Sequence, residues 1–178
     1  MPNIVIRRAK KSDVFGLLNV KNTTWEISYK DFFSDASIQK IIHLSNLKIK
    51  YWEDVIENSV CFVAECNGKI VGEITQDTLN EKIQSDIDCE LGTLYVLPDF
   101  QRQNIGSQLF NAFCTEMKHR GFSKMQIWTL QRGMKLADGS KKYSHSVDFY
   151  LKQGCILTDK TLLHDYDNAT VCALIKEF

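Results

Sequence analysis

The stretch LYVLPDFQRQNIGSQLF, Leu94 to Phe110, decides the fold. It begins as an apolar run stopped near Pro98 and ends in a helical repeat, with amides, Arg102 and Gly106 between. A strand that becomes a helix through such an elbow leaves the first-turn N–H groups of the helix without intrahelical acceptors. Those donors and the positive end of the helix dipole form an anion site. Gly106 keeps side chains off the backbone there, Arg102 adds positive charge, and Ser107 adds a hydroxyl donor. Asn104 tolerates the left-handed backbone conformation better than most non-glycine residues, so it can hold a turn that glycine would otherwise hold. Spacing alone leaves two readings open, a diphosphate-binding loop and an ordinary strand–helix connection.

Working outward, Ile105 to Arg120 repeats at helical period and Gly121 stands at its C′ end. Phe122 to Leu130 reads as the next strand and Asp86 to Leu97 as the long strand before the elbow. Upstream, Asn67-Gly68 between two apolar runs is a hairpin signal joining Val60–Cys66 to Lys69–Thr75. Ile4 to Ala9 reads as a strand, and Ser12 as the N-cap of a helix carrying Val14, Leu17, Leu18 and Val20 on one face. Trp25 to Leu47 reads as loop and helix, and Tyr51 to Ile56 as one helical turn. Ser146 to Gln153 is a short helix ended by Gly154, with Cys155–Thr158 and Thr170–Lys176 as a final antiparallel pair. Gln131 to His145 reads as an exposed loop. These elements predict one α/β domain over residues 1–178.

The chain has 178 residues, long enough for a sizeable core, and a formal net charge of zero. A neutral chain is not a general nucleic-acid or anionic-membrane binder, because both need a basic excess. No apolar run is long enough to cross a bilayer, and the N-terminus has no signal-like core, so a cytoplasmic location is expected. Six cysteines lie scattered without a C-x-x-C pair, which predicts reduced thiols and no metal.

The elbow resembles the central motif of the GNAT superfamily of N-acetyltransferases, in which a long strand is followed by Gln/Arg-x-x-Gly-x-Gly/Ala and a helix. Here it reads Gln101-x-x-Asn104-x-Gly106, with the first glycine replaced. Phe149-Tyr150-Leu151-Lys152-Gln153-Gly154-Cys155 resembles the family's Phe-Tyr-x-x-x-Gly-Phe segment. The resemblance implies a GNAT-like acyl-CoA N-acyltransferase fold, a mixed, mostly antiparallel sheet of about seven strands flanked by helices. It implies acetyl-CoA as cosubstrate and a primary amine, on a small molecule or a peptide, as acceptor. The pyrophosphate would lie on the amides of Gln103, Asn104, Ile105, Gly106 and Ser107, with Gln101 and Arg102 at the rim. The pantetheine arm would pair with the backbone of Leu94, Tyr95 and Val96, and an N–H near Val96 would polarise the thioester carbonyl. Tyr150 is the implied acid toward the CoA sulfur.

The attacking amine must lose a proton. Alternation along a strand puts Glu90, Gly92, Leu94 and Val96 on one face, so Glu90 is the candidate base. Glu73 on the neighbouring strand is the reserve. Asp88, on the face of Glu90, could bind a cationic acceptor. Thr23 to Phe33 is similar to a Trp-x-x-x-Tyr segment that walls the acceptor pocket in small-molecule members of the family. Trp25 and Tyr29, four apart, share a helical face there, and core packing explains them equally well. The basic segment Gln131–Lys142 reads as a substrate lid, as an extra contact for the CoA 3′-phosphate, or as a solvated loop. Two other functions stay open. One is a non-catalytic acyl-CoA-binding or sensor domain of the same fold. The other is a dinucleotide-binding enzyme, which would need a glycine-rich loop near the N-terminus that this chain lacks. A homodimer through the edge of the last strand, Val171 to Lys176, is compatible with the sequence.

Overall fold

The computed structural model describes residues 3–79, 81–135 and 141–178. A sheet of seven strands runs in the order β1-β2-β3-β4-β5-β9-β8. Its strands are β1 (Ile4–Arg8), β2 (Cys61–Cys66), β3 (Lys69–Asp77), β4 (Cys89–Val96), β5 (Lys124–Leu130), β8 (Ile156–Leu163) and β9 (Thr170–Glu177). All neighbours are antiparallel except β4 and β5. A separate two-residue ribbon, β6 (Met134–Lys135) with β7 (Lys141–Lys142), occupies the basic segment expected as a loop. The stretch 136–140, centre of the proposed lid, lies outside the described residues.

The β2–β3 hairpin turns on Asn67 (φ 49°) and Gly68 (φ 80°), the positive pair that a two-residue turn of its hand requires. Helix α1 (Val14–Ser28) runs on through Trp25. It follows a 3-10 turn in which Asp13, not Ser12, accepts the Lys10 N–H at 2.8 Å. The stretch beyond α1 is more helical than its mixed pattern predicts, with α2 (Asp35–Leu47) capped by Ser34 and α3 (Ile49–Asn58). These helices cover one face of the sheet, and α4 (Ile105–His119) and α5 (Ser146–Lys152) cover the other. After α4, the Gly121 N–H reaches Lys118 and the Phe122 N–H reaches Met117, which closes the helix at the glycine (φ +88°) as expected.

Two features of the sheet position the site. The β4–β5 ladder spans only Cys89–Leu91 against Met125–Ile127, so the strands part and leave one edge of Leu94–Val96 unpaired. A β-bulge inserts Gly92 between the pairs Gln76–Leu91 and Thr75–Thr93. A Cβ at Gly92 would stand 3.0 Å from Asp77 Cβ and 3.2 Å from Thr75 Oγ1, so the bulge is built around the missing side chain. The extra residue reverses the alternation. Glu90 therefore shares a face with Thr93 and Tyr95, not with Leu94 and Val96 as simple alternation predicts. The strand also starts later than predicted, at Cys89. Finally, β9 is interior, between β5 and β8, so the free edge lies one strand further out than expected.

Candidate active site

The parted strands open onto a cavity of about 460 Å³. Its floor is β4, through Leu94, Tyr95 and Val96. One side is the elbow and first turn of α4, through Gln101, Arg102, Asn104, Ile105, Gly106 and Ser107. Phe149 and Tyr150 of α5 close a second side, and Tyr29 and Phe32 face in from the far end. Gln103 does not line this space; its side-chain amide donates to the Asp99 carbonyl at 3.0 Å and braces the loop.

The elbow has the backbone that an anion cradle needs. Asn104 is left-handed (φ 65°, ψ 9°), and so is Arg102 (φ 61°), which the sequence did not announce. The first backbone bond of α4 is from the Gln108 N–H to the Asn104 carbonyl at 3.1 Å, so the amides ahead of it have no intrahelical acceptor. A Cβ at Gly106 would make only ordinary contacts, with the Phe149 ring at 3.5 Å and the Val96 side chain at 4.0 Å, and Gly106 itself lines the cavity. On β4, the Leu97 N–H donates to the Val71 carbonyl at 2.9 Å, which by alternation turns the Val96 N–H away from β3 toward the cavity. The Val96 carbonyl on that side accepts the Gln101 side-chain amide at 3.0 Å. These free amides, the positive loop and the open strand edge fit a ligand with a diphosphate followed by an amide-bearing arm.

Four tyrosines line the cavity, Tyr29, Tyr95, Tyr143 and Tyr150, and burial acts on three of them. Burial raises the Tyr150 hydroxyl far above its usual 10, with Tyr29 adding to the shift, so it keeps its proton at any ordinary pH. Burial pushes Tyr29 up to about 12, and Tyr95 well above 10. Trp25 lies behind this wall, stacked on Tyr29 at 4.7 Å, and Tyr29 meets Tyr95 edge-on at 6.2 Å. The shared helical face of Trp25 and Tyr29 is thus present, with only Tyr29 facing the cavity.

The acidic residues are arranged differently from the expectation built on alternation. Glu90 is held away from the cavity by Gln126, whose side-chain amide donates to it at 2.6 Å, and burial raises its pKa. Asp88 precedes the strand and accepts from the Ser123 N–H at 2.7 Å, the Ser123 hydroxyl at 2.8 Å and the Lys124 N–H at 3.1 Å. These bonds tie it to the start of β5, far along the sheet from Val96. Glu73 is fully buried next to the tyrosines. Its register partner is Tyr95, and Thr93 donates to its Oε2 at 2.8 Å, while its Oε1 has no partner among the described residues.

Sequence reasoning missed Lys21, which is buried on the inner face of α1, donates to Ser45 Oγ, and sits 5.2 Å over the Trp52 ring. Its signal was available, because Leu17, Leu18, Lys21, Thr24 and Trp25 follow one helical face. Burial pushes Lys21 down to about 8, against the opposing pull of Glu73. Burial likewise pushes Glu73 from its ordinary 4.5 up to about 8, against the Thr93 hydrogen bond and Lys21. A carboxyl raised in the folded state keeps a proton that the unfolded chain releases from about pH 4.5 upward, so stability is lost as pH rises through 8. Glu73→Gln removes this loss and can still accept from Thr93. By calorimetry, the Tm of the variant relative to the parent protein should rise between pH 5 and pH 8, by about 5 °C. A constant difference would mean that Glu73 is already ionised at pH 5.

Residues 22–138 match the Acetyltransferase (GNAT) family. The chain is 26% identical over 133 residues to the uncharacterized N-acetyltransferase YuaI of Bacillus subtilis strain 168, covering 72% of this chain and 73% of that protein. Among solved structures it resembles the PaiA N-acetyltransferase of Thermoplasma acidophilum in complex with coenzyme A, with a TM-score of 0.72 and 19% identity over 99% of both chains. It also resembles an aminoglycoside 6′-N-acetyltransferase complexed with coenzyme A, with a TM-score of 0.68 and 17% identity over 97% of this chain and 96% of that one. At these identities the two structures speak for a shared fold.

Proposed function

Because the chain belongs to the acetyltransferase (GNAT) family, we propose that it transfers the acetyl group of acetyl-CoA to a primary amine of a small molecule or peptide, by direct attack on the thioester. The observation that carries this reading is the meeting of the free β4 edge, the left-handed elbow and Tyr150 in one cavity. Acetyl-CoA supplies the activated acyl group. The amides of Asn104 to Ser107 hold its pyrophosphate with Arg102 at the rim, and Gln101 steadies the strand end by occupying the Val96 carbonyl. The backbone of Leu94 to Val96 aligns the amide-bearing arm, and the Val96 N–H polarises the thioester carbonyl. Tyr29, backed by its stacking partner Trp25, walls the acceptor end, where an aromatic face suits a cationic amine. The new N–C bond forms as the C–S bond breaks, and CoA leaves as its thiolate, to which Tyr150, protonated throughout, gives a hydrogen bond.

The amine proton needs an acceptor, either Glu73 or Glu90, reached through water. The geometry favours Glu73. It stands opposite Tyr95 across the β3–β4 pair with Oε1 unpartnered among the described residues, and a carboxyl poised near 8 is matched to proton transfer near neutral pH. The test is a calorimetric titration with acetyl-CoA, followed by assay of released CoA thiol with a panel of amines. Binding with thiol release for one amine class is the expected result. Binding without release for every amine would favour the acyl-CoA sensor reading. With the active amine, Glu73→Gln should lower kcat/KM by roughly tenfold or more, while Glu90→Gln stays within about threefold. The reverse ranking would return the base to Glu90.

A further inference from the structure

The outermost strand of the sheet is self-complementary. β8 reads Ile156-Leu157-Thr158-Asp159-Lys160-Thr161-Leu162-Leu163. From either end the order is two aliphatic residues, a threonine and a charge, and the two charges are opposite. Among the described residues it pairs with β9 on one side and with no strand on the other. Its end residues are the most open apolar group on the sheet, with Ile156 61%, Leu157 42%, Leu162 50% and Leu163 66% exposed. The opposite edge is different, because Ile4 and Ile6 of β1 pack against the core. Among the described residues neither Asp159 nor Lys160 has an ion-pair partner.

We infer that β8 is a docking edge for a second copy of this chain, in an antiparallel pair whose two-fold axis passes between Asp159 and Lys160. In that register Asp159 faces Lys160 of the copy, Thr158 faces Thr161, Leu157 faces Leu162 and Ile156 faces Leu163. Symmetry repeats each pair, as an isologous interface must. Cross-strand aliphatic, threonine and opposite-charge pairs each favour such an assembly.

The middle of β8 adds selectivity. Between Leu157 and Thr161 the strand slips relative to β9, and the Thr158 hydroxyl bonds the Ala173 carbonyl at 2.9 Å. Bulges and charges are how sheet edges resist indiscriminate pairing. Here the charged pair lies within the irregular segment, so an arriving strand must offer a cation opposite Asp159 and an anion opposite Lys160. The chain's own β8 does so in one register, whereas an apolar strand or a lipid surface strands both charges.

Sedimentation velocity of the full chain across a wide concentration range tests this. The expected result is a species of about twice 20.5 kDa. Asp159→Lys and Lys160→Asp, at exposed positions, should each weaken self-association by roughly tenfold or more, since each sets like charges opposite one another twice. The double variant Asp159→Lys/Lys160→Asp should restore it. Circular dichroism should be unchanged in all three, and so should Tm at concentrations low enough that every protein is monomeric. A monomeric parent protein overturns the inference, including one whose β8 instead captures vesicles or another protein. So does a dimer indifferent to both single reversals, or a double variant as weak as the singles.

Discussion

Replacing Gly106 with tryptophan is expected to lower acetyl-CoA affinity by at least about 100-fold and leave the fold intact. The backbone at Gly106 has an ordinary helical conformation, and a Cβ would make normal contact with the Phe149 ring at 3.5 Å, so neither strain nor a core clash opposes the substitution. What the indole occupies is the space over the first-turn amides, where Ile105, Gly106 and Ser107 line the cavity. Losing several charge-assisted hydrogen bonds at about 1.5–3 kcal/mol each readily exceeds the roughly 2.7 kcal/mol that 100-fold represents. Gly106→Ala serves as the control. Its methyl group fits beside Phe149, and affinity should stay within about fivefold. Isothermal calorimetry reads both, with Tm as the check on folding. Undiminished binding by the tryptophan variant would remove the diphosphate from this elbow.

Tyr150→Phe is expected to reduce kcat by about 100-fold while the Kd for acetyl-CoA changes by less than about threefold. The ring is buried, 5.9 Å from Phe110 and 5.2 Å from Phe149, so phenylalanine keeps the packing. With that packing kept, Tm should not fall. Because burial holds Tyr150 far above its usual 10, the parent enzyme should show no alkaline loss of kcat from this group below pH 10. Full turnover by the phenylalanine variant would show that the sulfur leaves without help from this residue.

The parts of the fold that the sequence announces are those decided locally. Asn67-Gly68, Gly121 and the Asn104 elbow each depend on a backbone angle available to few residue types, so the residue names the turn. The replaced glycine of the motif is an example, because Asn104 adopts the left-handed angles itself. What the sequence hid is decided between distant segments. Glycine in a strand hints at a bulge, but nothing in CELGTLYV shows that the ladder slips at Gly92 and moves Glu90 to the other face. Glu73 looks like an ordinary surface residue of a strand, and nothing local ties it to Lys21. The helical face of Lys21 hints at its burial, but its pairing with Glu73 appears only when α1 lies across β3. The outer edge was misplaced by one strand because Val171–Lys176 and β8 are both short antiparallel partners, and only the order of pairing with β5 separates them.

The left-handed asparagine has a consequence for when the elbow becomes ordered. Glycine at that position would explore many more backbone states in the unfolded chain, and replacing glycine by a residue that accepts the native angles gains about 0.4–1 kcal/mol through that lost entropy alone. With Arg102 and Asn104 both left-handed, the loop gives up its freedom during folding. Little disorder then remains to be removed when an anion arrives, and the receptor meets its ligand already shaped.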